Sequence, residues 1–290
     1  MNTLNEQVLY LSERRSLYVG RIHGQLVLSG ASAQLIVSLG GMISITETEI
    51  QAETIAKSFL VPADSKVVIE CGNELIAVVV LDYVGVDLTA LKSRMSQTDY
   101  SDSRSKCFCQ LESEQEFIEM ARYVFTNKPS ARSTFSLVNL YIGSPEYSIT
   151  IRSDERISKA IDFIRTHSDR TTSIEELARH VCLSVPRLTQ LFKQVTGVPI
   201  RRMRIWHRIY AVAQYYGEGI GLEEASLKAG FSDYSHFSRS YKEMGGIAPS
   251  SMFSARANMK VFTLAIEEGD NSIVSSADIL PYKANKLLAG

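Results

Sequence analysis

SIEELARHVCLSVPRLTQLFKQVTG, residues 173–197, contains two short apolar stripes with helical spacing. Residues at i, i+3, i+4 and i+7 lie on one face of a helix, so each stripe predicts an amphipathic helix. Ser184 lies between the stripes, where its hydroxyl can cap the second helix. Two helices joined by so short a turn cross steeply, and the second keeps one face packed and the other free. The stripes are Ile174, Leu177, Ala178 and Val181, and then Leu188, Leu191, Phe192 and Val195.

The same pattern returns in GLEEASLKAGFSDYSHFSRSYKEMGG, residues 221–246. Leu222 corresponds to Ile174 and Phe237 to Leu188, with one residue gained in the second turn. Gly230 occupies that turn, and Asp233 is placed as the N-cap of the helix that follows. The shared spacing predicts a duplicated helix-turn-helix module.

The two copies are joined by PIRRMRIWHRIYAVAQYYG, residues 199–217, which carries a further helical stripe. A helix rises about 1.5 Å per residue, so this segment predicts a rod of roughly 28 Å. One turn of B-DNA is about 34 Å, and such a rod could hold two reading helices over successive major grooves. No Asp or Glu occurs from Leu177 to Gly217, and residues 154–254 carry 14 basic and 11 acidic side chains, a net of +3. This excess of cations favours contact with phosphates.

The two modules resemble the helix-turn-helix halves of the AraC/XylS transcription regulators. The resemblance rests on LARHVCLSVPRLTQLFKQVTGVP and KAGFSDYSHFSRSYKEMGGIAPS, and it covers Ser153 to Ala255. It implies a DNA-binding domain in this part of the chain and a cupin-like effector and dimerisation domain before it. The sequence departs from the family pattern at Cys182, where the first turn often has glycine, at Pro186, which is shifted by one place, and at Gly245-Gly246, which replaces a bulky residue plus glycine.

The sides of the reading helices that the stripes leave free supply the candidates for DNA contact. Arg187 can bond guanine, Thr189 can contact a thymine methyl group, and Gln190 can pair with adenine. The resemblance places Pro186, Thr189 and Gln190 at base edges, and Arg239 is the strongest candidate on the second helix. A solvated or phosphate-bound role stays open for each position. The predicted base contacts are Arg187, Thr189, Gln190, Tyr234, Ser235, His236, Ser238 and Arg239, and the predicted phosphate contacts are Ser184, Lys193, Arg201, Arg202 and Lys242.

Residues 1 to about 82 contain short apolar runs separated by Gly, Pro, Asp and Asn, which favours short antiparallel strands in a barrel or sandwich. The predicted fold class is therefore α+β, with an N-terminal β-barrel, cupin-like by the resemblance and followed by dimerisation helices, and a C-terminal all-α domain with two helix-turn-helix motifs. A barrel can bind a small effector or be filled by its own side chains, and both alternatives stay open. His23 is the only histidine before residue 167, so a His-based metal site is not expected in this half. No cofactor is predicted.

The segment after this region predicts helices. Residues 96–106 are polar and indicate a loop. A first helix is indicated by the helical spacing of Phe117, Met120, Ala121 and Val124, and a second helix by ARSTFSLVNLYIG. Family helices placed here pack two subunits together, so the resemblance makes Phe117, Met120, Tyr123 and Val124 candidates for a homodimer interface. The alternative is that they cover their own barrel. The predicted divisions are an effector and dimerisation domain at 1–142, a linker at 143–153, the DNA-binding domain at 154–257 and a tail at 258–290.

Cys107 and Cys109, with Cys71, offer either a thiol sensor or soft-metal site or ordinary strand or loop residues. Reduced thiols are expected because four cysteines are too few for a disulfide framework. With 45% hydrophobic and 22% charged residues, the composition is that of a globular protein. The sequence shows neither a secretion signal nor an apolar run long enough for a bilayer, which predicts a cytoplasmic protein without membrane contact.

Two functional hypotheses follow from these features. The first is a sequence-specific regulator of transcription, an activator controlled by a small effector in the N-terminal barrel. It would bind double-stranded DNA as a homodimer and have RNA polymerase as a partner. The second is a regulator of the same kind without a small effector, controlled by a protein partner or by abundance. An enzyme is not expected, since the N-terminal half lacks a Ser–His–acid, multi-His or Gly-rich phosphate pattern.

Overall fold

The computed structural model has a sheet-rich N-terminal half and a helical C-terminal half, as the apolar patterns predict. The strands are β1 (Gln7–Ser12), β2 (Ser16–Arg21), β3 (Gln25–Leu28), β4 (Gln34–Ser38), β5 (Ile43–Glu47), β6 (Ala52–Ala56), β7 (Ser58–Val61), β8 (Val67–Glu70), β9 (Leu75–Val80), β10 (Met95–Gln97), β11 (Phe108–Leu111) and β12 (Met259–Leu264). The helices are α1 (Val86–Lys92), α2 (Glu114–Asn127), α3 (Ala131–Ile142), α4 (Glu155–Thr166), α5 (Ile174–His180), α6 (Val185–Thr196), α7 (Ile200–Gly217), α8 (Leu222–Lys228), α9 (Tyr234–Gly245) and α10 (Pro249–Met252).

The structure describes most of the chain, and the predicted linker at 143–153 lies outside the described residues. None of the helices within the described ranges is both long and apolar enough to cross a bilayer. The described ranges are 6–12, 15–28, 32–63, 65–81, 86–97, 104–142, 154–167, 173–196, 198–253 and 259–264.

The described strands form two open sheets rather than the closed barrel that the resemblance implied. The large sheet has the order β10-β11-β7-β4-β9-β2-β1-β12, and the small one has the order β3-β8-β5-β6. Apolar side chains from both sheets form one buried cluster, including Phe59 and Ile36 from the large sheet and Leu26, Ile45 and Ile69 from the small one. The sheets are therefore packed face to face, and their own side chains fill the space between them.

The other face of the large sheet is covered by α2 and α3, which corrects the predicted dimer interface. Phe117, Met120 and Val124 are fully buried within the chain's own core, and Tyr123 packs partly buried against it. Phe117, Met120 and Val124 pack with strand residues such as Leu17 and are not available to a second subunit in this structure, whereas Tyr123 keeps part of its surface exposed. The observed arrangement is the alternative, in which the helices cover their own sheet.

Residues 259–264, assigned to the tail by sequence, return to the N-terminal half as the edge strand β12. This strand pairs in parallel with β1, in register from Gln7 with Met259 to Ser12 with Leu264. The ring of Phe262 stacks on Tyr10 with centroids 4.6 Å apart. The chain thus crosses from the sheets to the helical half and back again.

The helical half contains the two predicted helix pairs, α5–α6 and α8–α9, on either side of α7. The predicted caps are confirmed, since the Ser184 side chain accepts from the Arg187 amide and that of Asp233 from the His236 amide. The Asp154 side chain accepts from the Arg156 amide in the same way at the start of α4. Because each cap satisfies an otherwise orphaned N–H, it defines where its helix begins. Trp206 and Tyr210, which belong to the apolar stripe of α7, are buried.

The turns of the two helix pairs adopt the same left-handed backbone with different residues. Cys182 has a φ of 55° and Gly230 a φ of 84°. A side chain in this region is strained, whereas glycine is not. The departure from the family pattern at Cys182 therefore leaves the turn geometry intact at an energetic cost.

We expect Cys182→Gly to raise the free energy of unfolding by about 0.5–1 kcal/mol, because relief of the strained backbone outweighs the extra freedom of the unfolded chain. Gly230→Ala should lower it by about 1–2 kcal/mol. Denaturant unfolding of the full chain measures both effects. A neutral or destabilising Cys182→Gly variant would contradict the argument.

Cys71, Cys107 and Cys109 are all buried in the N-terminal half. Burial raises the pKa of the Cys71 thiol to about 11, and burial together with the neighbouring Glu47 carboxylate raises the pKa of Cys107 as well. Protonated, buried thiols are weak nucleophiles. This environment favours the structural alternative for these cysteines over a thiol sensor.

Candidate nucleic-acid interface

The first reading helix, α6, has a packed face and a free face. Leu188, Leu191 and Phe192 are buried in a cluster with α4, α5 and α7. On the opposite side Arg187 donates to the Gln190 Oε1 at 3.3 Å, and the Thr189 hydroxyl donates to the Val185 carbonyl at 2.9 Å. The predicted contact residues of this helix are all exposed: Ser184, Arg187, Thr189, Gln190 and Lys193.

The second reading helix, α9, exposes its predicted residues to different degrees. Ser235, Arg239 and Lys242 are exposed, whereas Tyr234, His236 and Ser238 are half-buried. The Tyr234 ring packs against the buried Phe237 ring, with the two ring centroids 5.9 Å apart. Tyr234 therefore contributes to packing as well as to the surface.

The beginning of α9 is electrostatically ordered. The Asp233 carboxylate accepts from the His236 backbone amide at 2.7 Å and from the Ser232 hydroxyl at 3.0 Å. These two hydrogen bonds, with smaller contributions from Arg239 and His236, hold the pKa of Asp233 below its ordinary value. The carboxylate stays ionised and caps the helix that carries Arg239.

A basic cleft beside α7 was not recognised as a site from the sequence. Arg201, Arg204 and Arg208 of α7 line it, together with His236 of α9, and Ile174, Ile200 and Ile205 complete the lining. Arg201 had been predicted as a phosphate contact, as had Arg202, which is half-buried on the same helix. The i, i+4 spacing of Arg204 and Arg208 was visible in the sequence, but the part of His236 depends on how α9 packs.

The helical half is packed directly onto the large sheet. Buried Tyr210 and Ala213 of α7 and Phe253 join the cluster that contains Leu9 and Leu11 of β1, and the Tyr210 hydroxyl donates to the Leu264 carbonyl at 2.9 Å. The helical half thus packs on the same face of the large sheet as the small sheet does.

The end of α9 is clamped by the N-terminal half, and we call this contact the α9 clamp: Gln34, Ser32, Met244, Gly246 and β3. The Met244 carbonyl accepts from Gln34 Nε2 at 2.9 Å and from the Ser32 hydroxyl at 3.1 Å. Gly246, with a φ of 78°, lies directly against Leu26, Val27 and Leu28 of β3. The second reading helix is therefore attached to the N-terminal sheets at one end and exposed at the other.

The fold and these surfaces define a protein with two helix-turn-helix units on one bridging helix. A helix-turn-helix domain family matches residues 177–255. The chain is 33% identical over 116 residues to the arabinose operon regulatory protein of Escherichia coli strain K12, and this match covers 39% of either chain. It is also 33% identical over 99 residues to the arabinose operon regulatory protein of Salmonella typhimurium, which covers 33% of this chain and 35% of that protein. The match thus spans about two fifths of these relatives or less. Over these residues the chain is similar to the helix-turn-helix domain of AraC-type regulators of transcription.

Solved structures similar to the whole fold include two of ToxT from Vibrio cholerae. A variant of apo ToxT from strain SCE256 has a TM-score of 0.53 at 12% identity, covering 82% of this chain and 96% of that one. ToxT from strain O395 has a TM-score of 0.51 at 14% identity, covering 84% and 99%. At these identities the likeness shows the fold alone, a sheet-rich half followed by a helical one.

Proposed function

We propose that this protein regulates transcription by binding specific sequences of double-stranded DNA with α6 and α9. The observation that carries the proposal is that both helices bury their apolar faces and keep exposed groups able to read bases, Gln190 on α6 and Arg239 on α9. Exposed phosphate-binding candidates flank them, including Lys193 and Lys242. The bridging helix α7 has 18 residues. Its length, about 27 Å, is comparable to one turn of B-DNA.

Selection from random duplexes with the full chain tests this proposal. We expect enrichment of sites with two half-elements separated by about one helical turn, and affinity that falls steeply with salt. No enrichment at low or moderate salt would refute sequence-specific binding.

Arg239→Ala should weaken binding to the selected site by about 1–3 kcal/mol and relax the preference at one base pair, guanine being the favoured partner of an arginine fork. Competition with single-base variants of the selected duplex measures this effect. Arg132→Ala, which removes an exposed arginine from α3 in the other half of the chain, is the matched control. If the two variants showed the same base-pair preferences, Arg239 would not be a base contact.

Effector control, in this proposal, acts where the two halves meet. An apolar cavity lies there, lined by Leu9, Tyr18 and Val78 from the large sheet and by Trp206, Tyr241 and Met244 from the helical half. Its volume is about 50 Å³. Typical ligand pockets measure roughly 300–1,000 Å³, so an apolar effector would have to part α9 from the sheet as it binds. Its binding would then act directly on the α9 clamp.

A second candidate is regulation without a small effector, which the filled space between the two sheets favours. Leu26, Ile45, Phe59 and Ile69 are fully buried there. Native mass spectrometry of the full chain separates the candidates. A co-purified apolar molecule that alters DNA affinity supports effector control, and its absence across growth conditions supports control by a partner or by abundance.

The proposal has four further parts. The protein would activate transcription through RNA polymerase, bind DNA as a homodimer and be located in the cytoplasm, and it would not be an enzyme. A dimer would have to use a surface other than the buried residues of α2, and duplicated sites in the selection would indicate one. A reporter gene placed behind the selected site tests activation, since a repressor would lower its expression.

A further inference from the structure

We propose that the basic cleft lined by Arg201, Arg204, Arg208 and His236 is a phosphate site that holds one DNA phosphodiester between the two reading helices. This inference rests on the proposed function and adds to it a contact in the middle of the interface. The cleft measures about 210 Å³. One water occupies about 30 Å³ in the liquid, so a phosphate group and several waters fit.

The charge of the cleft calls for an anion. Arg204 and Arg208 are half-buried, and burial lowers the pKa of both, with Arg204 lowering that of Arg208 further. Both guanidiniums remain charged at any physiological pH, so they repel each other. Within the described ranges, Arg208 forms no ion pair with a carboxylate. An anion between them would remove the repulsion and form charge-assisted hydrogen bonds.

The position of the cleft favours DNA over a small anion. Ile174 begins the first helix pair, and His236 lies in the first turn of the second reading helix, so the cleft separates the two modules. A duplex whose successive major grooves meet α6 and α9 must carry its backbone across the face of α7 between them. Arg204 and Arg208 lie one turn apart on that helix.

No Asp or Glu of the described ranges lines the cleft. Asp233, three residues before His236, directs its carboxylate to the first turn of α9. Glu175 and Glu176, which follow Ile174, are exposed in the first turn of α5. The Arg201, Arg204 and Arg208 side chains all come from the segment of the chain that contains no acid.

The test measures the salt dependence of binding to the selected duplex. Loss of one phosphate contact lowers the slope of log K against log salt by about 0.9. We expect this decrease for Arg208→Gln and for Arg204→Gln, with base preferences unchanged. Lys106→Gln, which removes an equal charge from the N-terminal half, should leave the slope unchanged. Because the arginine stems are partly buried, thermal unfolding of each variant shows whether it is folded, and two variants keep the test decisive if one is not.

A second arm distinguishes DNA from a small anion as the source of the phosphate. The midpoint of thermal unfolding of wild type and Arg208→Gln is compared in inorganic phosphate and in chloride at equal ionic strength without DNA. If the folded variants keep the wild-type slope of log K against log salt, the inference is overturned. If, in addition, phosphate stabilises the wild type but not Arg208→Gln, the cleft is a site for small anions instead. If the wild type binds no duplex specifically, the proposed function fails, and this inference fails with it.

Discussion

Asp87→Ala is expected to lower the free energy of unfolding by about 3–5 kcal/mol, because it leaves a largely buried arginine without its counter-charge. The Asp87 side chain is fully buried and that of Arg15 is 18% exposed. The carboxylate accepts from Arg15 Nε at 2.5 Å and from Nη2, and Nη1 of the same guanidinium donates to Asn139. The Arg15 guanidinium thus ties the start of β2 to α1 through an ion pair and to α3 through a hydrogen bond.

Chemical denaturation of the full chain measures this loss, with Asp162→Ala as the matched control. Asp162 forms a surface pair with Arg165 at 3.8 Å, and its side chain is 64% exposed. Solvent screens such a pair, so the control should change stability by less than about 1 kcal/mol. Arg15→Met combined with Asp87→Leu should recover much of the loss, because no unpaired charge remains buried. Similar losses for Asp87→Ala and Asp162→Ala would contradict the assignment.

The helical half was predictable from sequence because its signals are local. The caps at Asp154, Ser184 and Asp233 each bond an amide two or three residues away. The apolar stripes recur within two turns of one helix, so residues such as Leu188 and Phe237 identify the buried faces without knowledge of the rest of the chain. The exposure of Arg187, Gln190 and Arg239 was predicted because they lie on the sides of the helices that the apolar stripes leave free.

The partners of the elements were less predictable, because they depend on residues far apart in the chain. The apolar spacing of α2 indicated a covered face, but not whether a second subunit or the chain's own sheet covers it. The run containing Phe262 gave no local sign that it pairs with β1. The turn residues between short apolar runs predicted the strands of the sheet-rich half. They did not predict the two open sheets, because strand pairing joins residues far apart in the chain.

The sites between the modules were also missed for this reason. The basic cleft needs His236 to approach α7, and the α9 clamp needs Gln34 to meet the end of a helix 210 residues later in the chain. Helix periodicity describes one element at a time. The contact between the sheets and the second reading helix, on which control of DNA binding would depend, appears only once both halves are packed.

Gly246→Ala is expected to lower the free energy of unfolding by about 2–5 kcal/mol and to loosen the α9 clamp. The left-handed backbone costs a side chain about 1–2 kcal/mol. A Cβ at Gly246 would also lie 2.6 Å from Leu26 Cδ1, 2.7 Å from Leu28 Cδ2 and 2.9 Å from the Val27 carbonyl oxygen. The leucine ends can turn aside, but the carbonyl belongs to β3 and cannot, so overpacking adds about 1–3 kcal/mol.

Gly219→Ala separates the clamp from the backbone effect. Gly219 has a φ of 90°, and a Cβ there meets no atom within 4 Å, so the variant should lose only the backbone cost. Denaturant unfolding of both variants gives the difference, and hydrogen exchange should rise in β3 and at the end of α9 only for Gly246→Ala. Equal losses in the two variants would show that the contact with β3 contributes nothing. If the N-terminal half controls DNA binding through α9, only Gly246→Ala changes the affinity of the full chain for its selected duplex, because it alone alters how that helix is held.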